Sequence, residues 1–146
     1  MDLQTLRYFG VQRALVVAHF LEETSVEALQ AQVASLLAVQ LPRLAASGID
    51  ASVALGVHPR SLPRRGLQAV LDALPAAFDA GRVVALGEIG PHTGGPLEEA
   101  AMVEQLLLAC RLRVPVVVHT PVPLHSWKWS VSTSHEVRPQ WAVLGA

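Results

Sequence analysis

The sequence predicts an α/β protein made of parallel β/α units, equivalent to about half of a TIM-type (β/α)8 barrel. Four short, almost continuously apolar runs, at residues 14–18, 51–57, 83–86 and 114–118, have the composition of strands buried on both faces. Longer segments with helical spacing separate these runs. Such alternation requires parallel strands joined by right-handed crossovers, either in an open doubly wound sheet or in a closed barrel. Four strands are about half of a barrel, which normally needs about 250 residues.

Three helices are predicted between the strands. The first covers residues 26–44, with Ser25 as its cap, and Pro42 should kink it or end it early. The second runs roughly over residues 63–78. The third begins near Pro96, a residue type that is favoured in the first turn of a helix.

The composition of the 146-residue chain indicates a folded domain, since 51% of it is apolar and only 16% is charged. A net charge of −1 gives no electrostatic reason for nonspecific binding to nucleic acid or membranes. No apolar run reaches membrane-spanning length, and the first residues do not resemble a signal peptide. These features favour a cytoplasmic protein. The single cysteine, Cys110, excludes an internal disulfide and is predicted to be a packed core thiol.

The composition changes after Pro121. All three tryptophans and the only lysine follow that residue, and the text from His125 to Trp141 has neither helical nor strand periodicity. We therefore divide the chain into a partial barrel, residues 1–120, and an irregular tail, residues 121–146. The tail is interpreted as a flexible terminus or as the product of a shifted reading frame.

An ionisable residue stands at or just after the end of each predicted strand: His19, His58, Glu88 and His119. Because the carboxyl ends of parallel strands lie on one rim, which carries the active site in barrels, these side chains should converge. Imidazole and carboxylate groups together suit a divalent cation such as zinc or manganese. Glu88 is the best suited to bridge two cations, because a carboxylate can do so and a histidine cannot readily.

The other histidines carry less weight. On spacing alone, His19 is more simply a loop or packing residue than a ligand, and His92 is interpreted as a loop residue. His125 and His135 lie in the irregular tail. The glycines of residues 87–95 match neither the dinucleotide fingerprint nor the P-loop pattern.

Three segments, ALGVHPRSLP at 54–63, VVALGEIGPHTG at 83–94 and RVPVVVHTP at 113–121, resemble the TatD family of metal-dependent hydrolases in order and spacing. The resemblance covers roughly residues 2–121. It implies a (β/α)8 barrel with one or two divalent metals, and hydrolase activity that in several members cleaves DNA phosphodiester bonds. It also implies that Glu88 bridges metals, that His119 binds metal and that His58 lies near the substrate. It does not support His19, and no residue is assigned as the catalytic base.

The chain also departs from the family's pattern. It has no His-x-His pair, it carries Pro91-His92 where the family usually has Leu-Asp, and it offers no counterpart of the later His and Asp ligands. We therefore expect the middle of a hydrolase, with water activated by zinc, manganese or magnesium in the parent enzyme but little turnover here. The alternative is a non-catalytic remnant or a module that self-associates through open sheet edges. A nucleotide-binding open sheet is the third hypothesis. It ranks last because no phosphate-binding fingerprint supports it.

Overall fold

A computed structural model describes residues 3–20 and 22–119. The chain begins with a short helix and then alternates strands with helical crossovers. In chain order the elements are α1 (Leu3–Tyr8), β1 (Arg13–Val17), α2 (Val26–Ser35), a π-helical turn (Leu36–Gln40), α3 (Leu41–Ala46), β2 (Asp50–Leu55), a 3-10 turn (Pro59–Ser61), α4 (Leu67–Phe78), β3 (Val83–Ile89), α5 (Pro96–Leu112) and β4 (Val116–Val118).

The four strands form one parallel sheet in the order β1-β2-β3-β4. Each strand therefore pairs with its neighbour in sequence, as in a barrel, whereas a doubly wound sheet reverses its order at a switch point. The registers of β2 with β3 and of β3 with β4 each shift once. The prediction of a partial TIM-type barrel made of parallel β/α units is confirmed.

The core lies between the sheet and the helices. Helices α2 and α4 pack together, α4 also packs against α5, and α3, α4 and α5 contact the strands. Large aliphatic side chains fill this space, and each contributes about 1.5–3 kcal/mol by leaving water. The largest of these fully buried aliphatic side chains are Leu29, Ile49, Leu55, Leu74, Leu86 and Ile89.

The first crossover helix does not end at Pro42, which was one of the two outcomes predicted, but its regular α-helical turns are interrupted just before that residue. The helix passes through the π-helical turn and continues as α3, with Pro42 in the first turn of α3. In the π turn the N–H of Leu41 donates to the carbonyl of Leu36. The wider turn lies where the ring of Pro42 would otherwise meet the carbonyl of Ala38 in a regular α-helix.

Two further predictions need correction. Helix α4 begins at Leu67 rather than near Pro63, because Gly66 precedes it in a left-handed conformation with φ 74°. Cys110 is exposed and is not a packed core thiol. It lies on the outer side of α5, one position along from the buried Ala109, and one position rotates a side chain by about 100° around the helix axis.

The irregular tail predicted for residues 121–146 lies outside the described residues, and so do His125 and His135. Within residues 3–20 and 22–119, no helix has both the length and the apolar character needed to cross a bilayer. The cytoplasmic location stays a prediction.

The carboxyl ends of β2, β3 and β4 come unusually close together at three glycines. A Cβ on Gly56 would lie 2.9 Å from the backbone nitrogen of Gly87. A Cβ on Gly87 would lie 2.5 Å from the carbonyl oxygen of Val117, and one on Gly90 would collide with the carbonyl oxygen of His119. Gly87 and Gly90 also have φ of 150° and 142°, which side chains disfavour. These three positions therefore require glycine.

We expect Gly90→Ala to destabilise the chain by about 1–3 kcal/mol, because it adds both a disfavoured φ and a backbone collision. Urea unfolding followed by circular dichroism would measure this loss. Gly48→Ala is the control for the backbone conformation alone, since Gly48 has φ 76° and an added Cβ there would meet nothing within 4 Å. Equal midpoints for the two variants would contradict the close approach of β3 to residue 119.

Candidate metal centre

The three residues predicted for the site from both spacing and resemblance converge at the carboxyl rim of the sheet. His58 follows β2, Glu88 is the penultimate residue of β3 and His119 follows β4. One ligand atom from each can be chosen so that all three lie within 4.8 Å of one another. Within the described part of the chain, this is the group of His, Cys, Asp and Glu side chains that could hold a metal ion.

Glu88 and His119 form the closest pair of this cluster. Glu88 Oε1 lies 3.0 Å from His119 Nδ1, and the two side chains are 30% and 21% exposed. Two ligands at right angles on one cation, each about 2.1 Å from it, are about 3 Å apart. The separation therefore fits a shared cation as well as it fits a hydrogen bond. The donor set, one carboxylate oxygen and one imidazole nitrogen, suits zinc, manganese or magnesium to different degrees.

His58 is held differently. Its ring is 3% exposed, and its Nδ1 accepts a hydrogen bond of 3.1 Å from the backbone N–H of Arg60, capping the 3-10 turn. A neutral imidazole that accepts at Nδ1 carries its proton on Nε2, the atom that lies 3.9 Å from Glu88 Oε2. Burial, reinforced by His119 and opposed by Glu88, lowers the pKa of His58 to about 4. His58 is therefore a neutral N–H donor near neutral pH.

Gln105 of α5 fixes the strand end that carries His58. Its side chain is 1% exposed, its Oε1 accepts from Val57 N–H at 2.7 Å and its Nε2 donates to Val57 O at 3.1 Å. A second hydrogen bond from Nε2 reaches Ala101 O at 3.2 Å. Gln105 was not predicted from the sequence. The available signal was a polar residue on the helix face shared with the apolar Ala101 and Leu108.

His19 lies beside the cluster without joining it. Its ring is exposed and makes an edge-to-face contact with His58, with ring centroids 5.1 Å apart. The prediction that the residue after β1 comes to the same rim is therefore correct in position, and the structure gives His19 no ligand partner among the described residues.

His92 lies in a loop, as predicted, but the loop turns its ring into the site. His92 Nδ1 is 3.3 Å from His119 Nε2, on the opposite side of that ring from Glu88. Glu98 holds the loop: one carboxylate oxygen accepts from the backbone N–H groups of His92, Thr93 and Gly94 at 2.8–2.9 Å. Partial burial opposes ionisation of Glu98, but these hydrogen bonds, with one from the Thr93 hydroxyl, lower its pKa.

The carboxyl rim carries the active site in barrel enzymes, and imidazole and carboxylate groups gathered there can hold a divalent cation. The fold and the cluster are those of a barrel protein whose rim could hold a divalent cation. A comparison with family models is more specific: the model described as TatD related DNase matches residues 4–128, a little past the point where the resemblance was expected to end. The chain belongs to the TatD family.

Individual relatives agree. An uncharacterised metal-dependent hydrolase of Methanocaldococcus jannaschii is 31% identical over 121 residues, covering 82% of this chain and 48% of the relative. The crystal structure of a TatD-like protein from Archaeoglobus fulgidus superposes with a TM-score of 0.70 at 29% identity, covering 82% of this chain and 49% of that one. The TatD homologue YjjV of Escherichia coli gives 0.58 at 30% identity, covering 80% and 42%. The chain thus spans about half the length of these proteins.

We expect the metal-free chain to lose stability as the pH falls from about 6.5 to about 4. In this window the unfolded His58 binds a proton while the folded one, with its pKa of about 4, stays neutral, so protonation favours unfolding. The full difference is at most about 3 kcal/mol. Above pH 6.5 both forms are neutral, and the contribution vanishes.

Denaturant unfolding at several pH values would measure this slope. The matched variant is His58→Asn, whose side-chain oxygen can accept the Arg60 N–H but does not titrate. A slope that is unchanged in His58→Asn between pH 6.5 and 4 would show that His58 is not held as a buried neutral ring.

Proposed function

We propose that this chain carries the cation-binding part of a phosphodiester hydrolase, with Glu88 and His119 as ligands and His58 facing the substrate. The observation that carries the proposal is the 3.0 Å separation of Glu88 Oε1 and His119 Nδ1 at the carboxyl rim. A divalent cation bound there supplies polarisation of a phosphoryl oxygen and activation of water. Two protein ligands alone make a weak site, since stable metal sites generally use three or four.

His58 is proposed as a substrate-binding residue and not as a third ligand. Binding a cation through Nε2 would need the lone pair of a nitrogen that carries the proton while Nδ1 accepts from Arg60. The same arrangement makes Nε2–H a donor directed toward the Glu88 side of the site, where it can hydrogen-bond an anionic oxygen. The pinning of Val57 by Gln105 keeps this donor in place.

The proposed substrate is a phosphoester, and DNA is the first candidate because the matching family model is described as a DNase. A net charge of −1 supplies little attraction for a polyanion, so recognition would depend on the cation and the rim. We propose that this chain by itself turns over a generic phosphodiester negligibly. The support is that Glu88 and His119 provide fewer donors than the set implied by the family resemblance.

Titration calorimetry of the metal-free chain with manganese and with zinc tests the proposed site. We expect saturable binding that weakens at least about tenfold in Glu88→Gln, because the amide loses the anionic ligand and its charge. Glu104→Gln is the control, since Glu104 is an exposed residue on α5. Binding equal in Glu88→Gln and wild type would refute the proposal.

A second copy of this chain is the proposed partner of the open sheet. Within the described residues, β1 and β4 each pair with one strand, and Leu15 of β1 and Val84 of β3 are 38% and 39% exposed. Unpaired edges and uncovered apolar side chains both favour association. This proposal concerns assembly and does not depend on cation binding.

Light scattering coupled to gel filtration measures the assembly. We expect dimers or larger species at high concentration, and dissociation in Leu15→Lys, because a charge on an edge strand opposes pairing. Leu97→Lys places the same charge at an exposed position of α5 and should leave the assembly unchanged. A monomer at all concentrations would contradict self-association.

A further inference from the structure

His119 contacts polar groups through both ring nitrogens. Nδ1 faces Glu88 Oε1 at 3.0 Å, and Nε2 faces His92 Nδ1 at 3.3 Å. The His92 and His119 rings are tilted by 33°, with centroids 5.5 Å apart. A histidine that binds a cation through one nitrogen generally donates the N–H of the other to an acceptor, which fixes the tautomer and the ring orientation.

We infer that His92 is a positioning residue for His119, accepting its Nε2–H so that the Nδ1 lone pair faces Glu88 and the cation. The inference rests on the proposed function of Glu88 and His119. It assigns a role to the residue that stands where the family pattern usually has aspartate. His92 need not touch the substrate to act in this way.

An imidazole at position 92 can serve the site with and without the cation. In the metal-free chain both contacts are satisfied when His119 donates from Nδ1 to Glu88 and His92 donates from Nδ1 to Nε2 of His119. A cation held by Nδ1 of His119 would require that ring to carry its proton on Nε2, and His92 would then carry its own on Nε2 and accept at Nδ1. Both rings stay neutral, one proton each, in the two states. A carboxylate could only accept.

Glu98 makes this contact possible by fixing the loop. One of its oxygens accepts hydrogen bonds from the backbone N–H groups of His92, Thr93 and Gly94. The other accepts from the Thr93 hydroxyl at 2.9 Å. Because Glu98 lies in the first turn of α5, this carboxylate ties the loop to the helix that also holds the end of β2. The position of His92 is thus fixed by the hydrogen bonds of its loop.

Zinc is the probe for the test, because it is diamagnetic and suits imidazole ligands. Calorimetry would compare wild type with His92→Phe, which removes the acceptor, and with His92→Asp, which restores one. Nitrogen-15 spectra of the imidazoles would report the tautomer of His119 in the zinc-loaded chain. Glu98→Gln tests the clamp, with the exposed neighbour Glu99→Gln as its control, and circular dichroism checks that each variant folds.

We expect His92→Phe to bind zinc about 10–100-fold more weakly and His92→Asp to keep most of the affinity. Glu98→Gln should weaken binding in the same direction, and Glu99→Gln should not. The zinc-loaded spectrum should show His119 with its proton on Nε2 and zinc on Nδ1.

Two results would overturn the inference alone: zinc binding by wild type that is unaffected in His92→Phe, or a spectrum with zinc on Nδ1 of His92 itself. Absence of zinc binding by the wild-type chain would overturn both this inference and the proposed function. The outcomes therefore separate the two.

Discussion

The backbones of β3 and β4 meet so closely at their carboxyl ends that no side chain fits between them. Gly87 lies against the backbone of Val117, and Gly90 against that of His119, whose N–H donates to the carbonyl of Ile89 at 2.7 Å. Glu88 lies between Gly87 and Gly90, and His119 is the residue whose backbone meets Gly90. The close contact of the two backbones therefore brings these side chains to the same place, with Oε1 and Nδ1 3.0 Å apart. A wider gap between the strands would leave the same side chains too far apart to share a cation. The glycines of this rim are thus part of the site although they carry no chemical group.

Helix α5 is the second determinant of the site, since it holds two separate pieces of the rim. In its first turn Glu98 fixes residues 92–94, and about two turns later Gln105 fixes Val57, next to His58. Both attachments use side chain to backbone hydrogen bonds, and the one at Gln105 is buried. Removing a partner from a buried bond of this kind leaves an unsatisfied group that costs about 1–3 kcal/mol. Substitutions on α5 should therefore alter the positions of the imidazole rings, although the substituted residues do not contact those rings.

Much of this arrangement could be predicted from the sequence, because it follows from periodicity and chirality. Parallel β/α units repeat every 30 residues or so, so the residues after each strand must share a rim, and His58, Glu88 and His119 do. The roles of Glu98 and Gln105 could not be found in this way, because they depend on which face of α5 meets the loop and the strand. The wrong prediction that Cys110 is buried has the same cause. A rotation of about 100° per residue separates the buried Ala109 from the exposed Cys110. The π turn before Pro42 could not be predicted either, because no residue pattern in the sequence indicates it.

Spacing also treats all histidines at the rim alike, whereas their chemistry depends on which nitrogen is already engaged. His58 has Nδ1 occupied by a backbone N–H, so it can only donate from Nε2, and burial keeps it neutral. His119 has Glu88 at one ring nitrogen and His92 at the other. Its proton can be held at either nitrogen, so the Nδ1 lone pair can face a cation when the proton is on Nε2. His19 has neither restraint and stays exposed beside the ring of His58. Three imidazoles that a pattern would count as equivalent are thus a donor, a candidate ligand and a neighbour. The difference arises from hydrogen bonds made by residues that lie far apart in the chain.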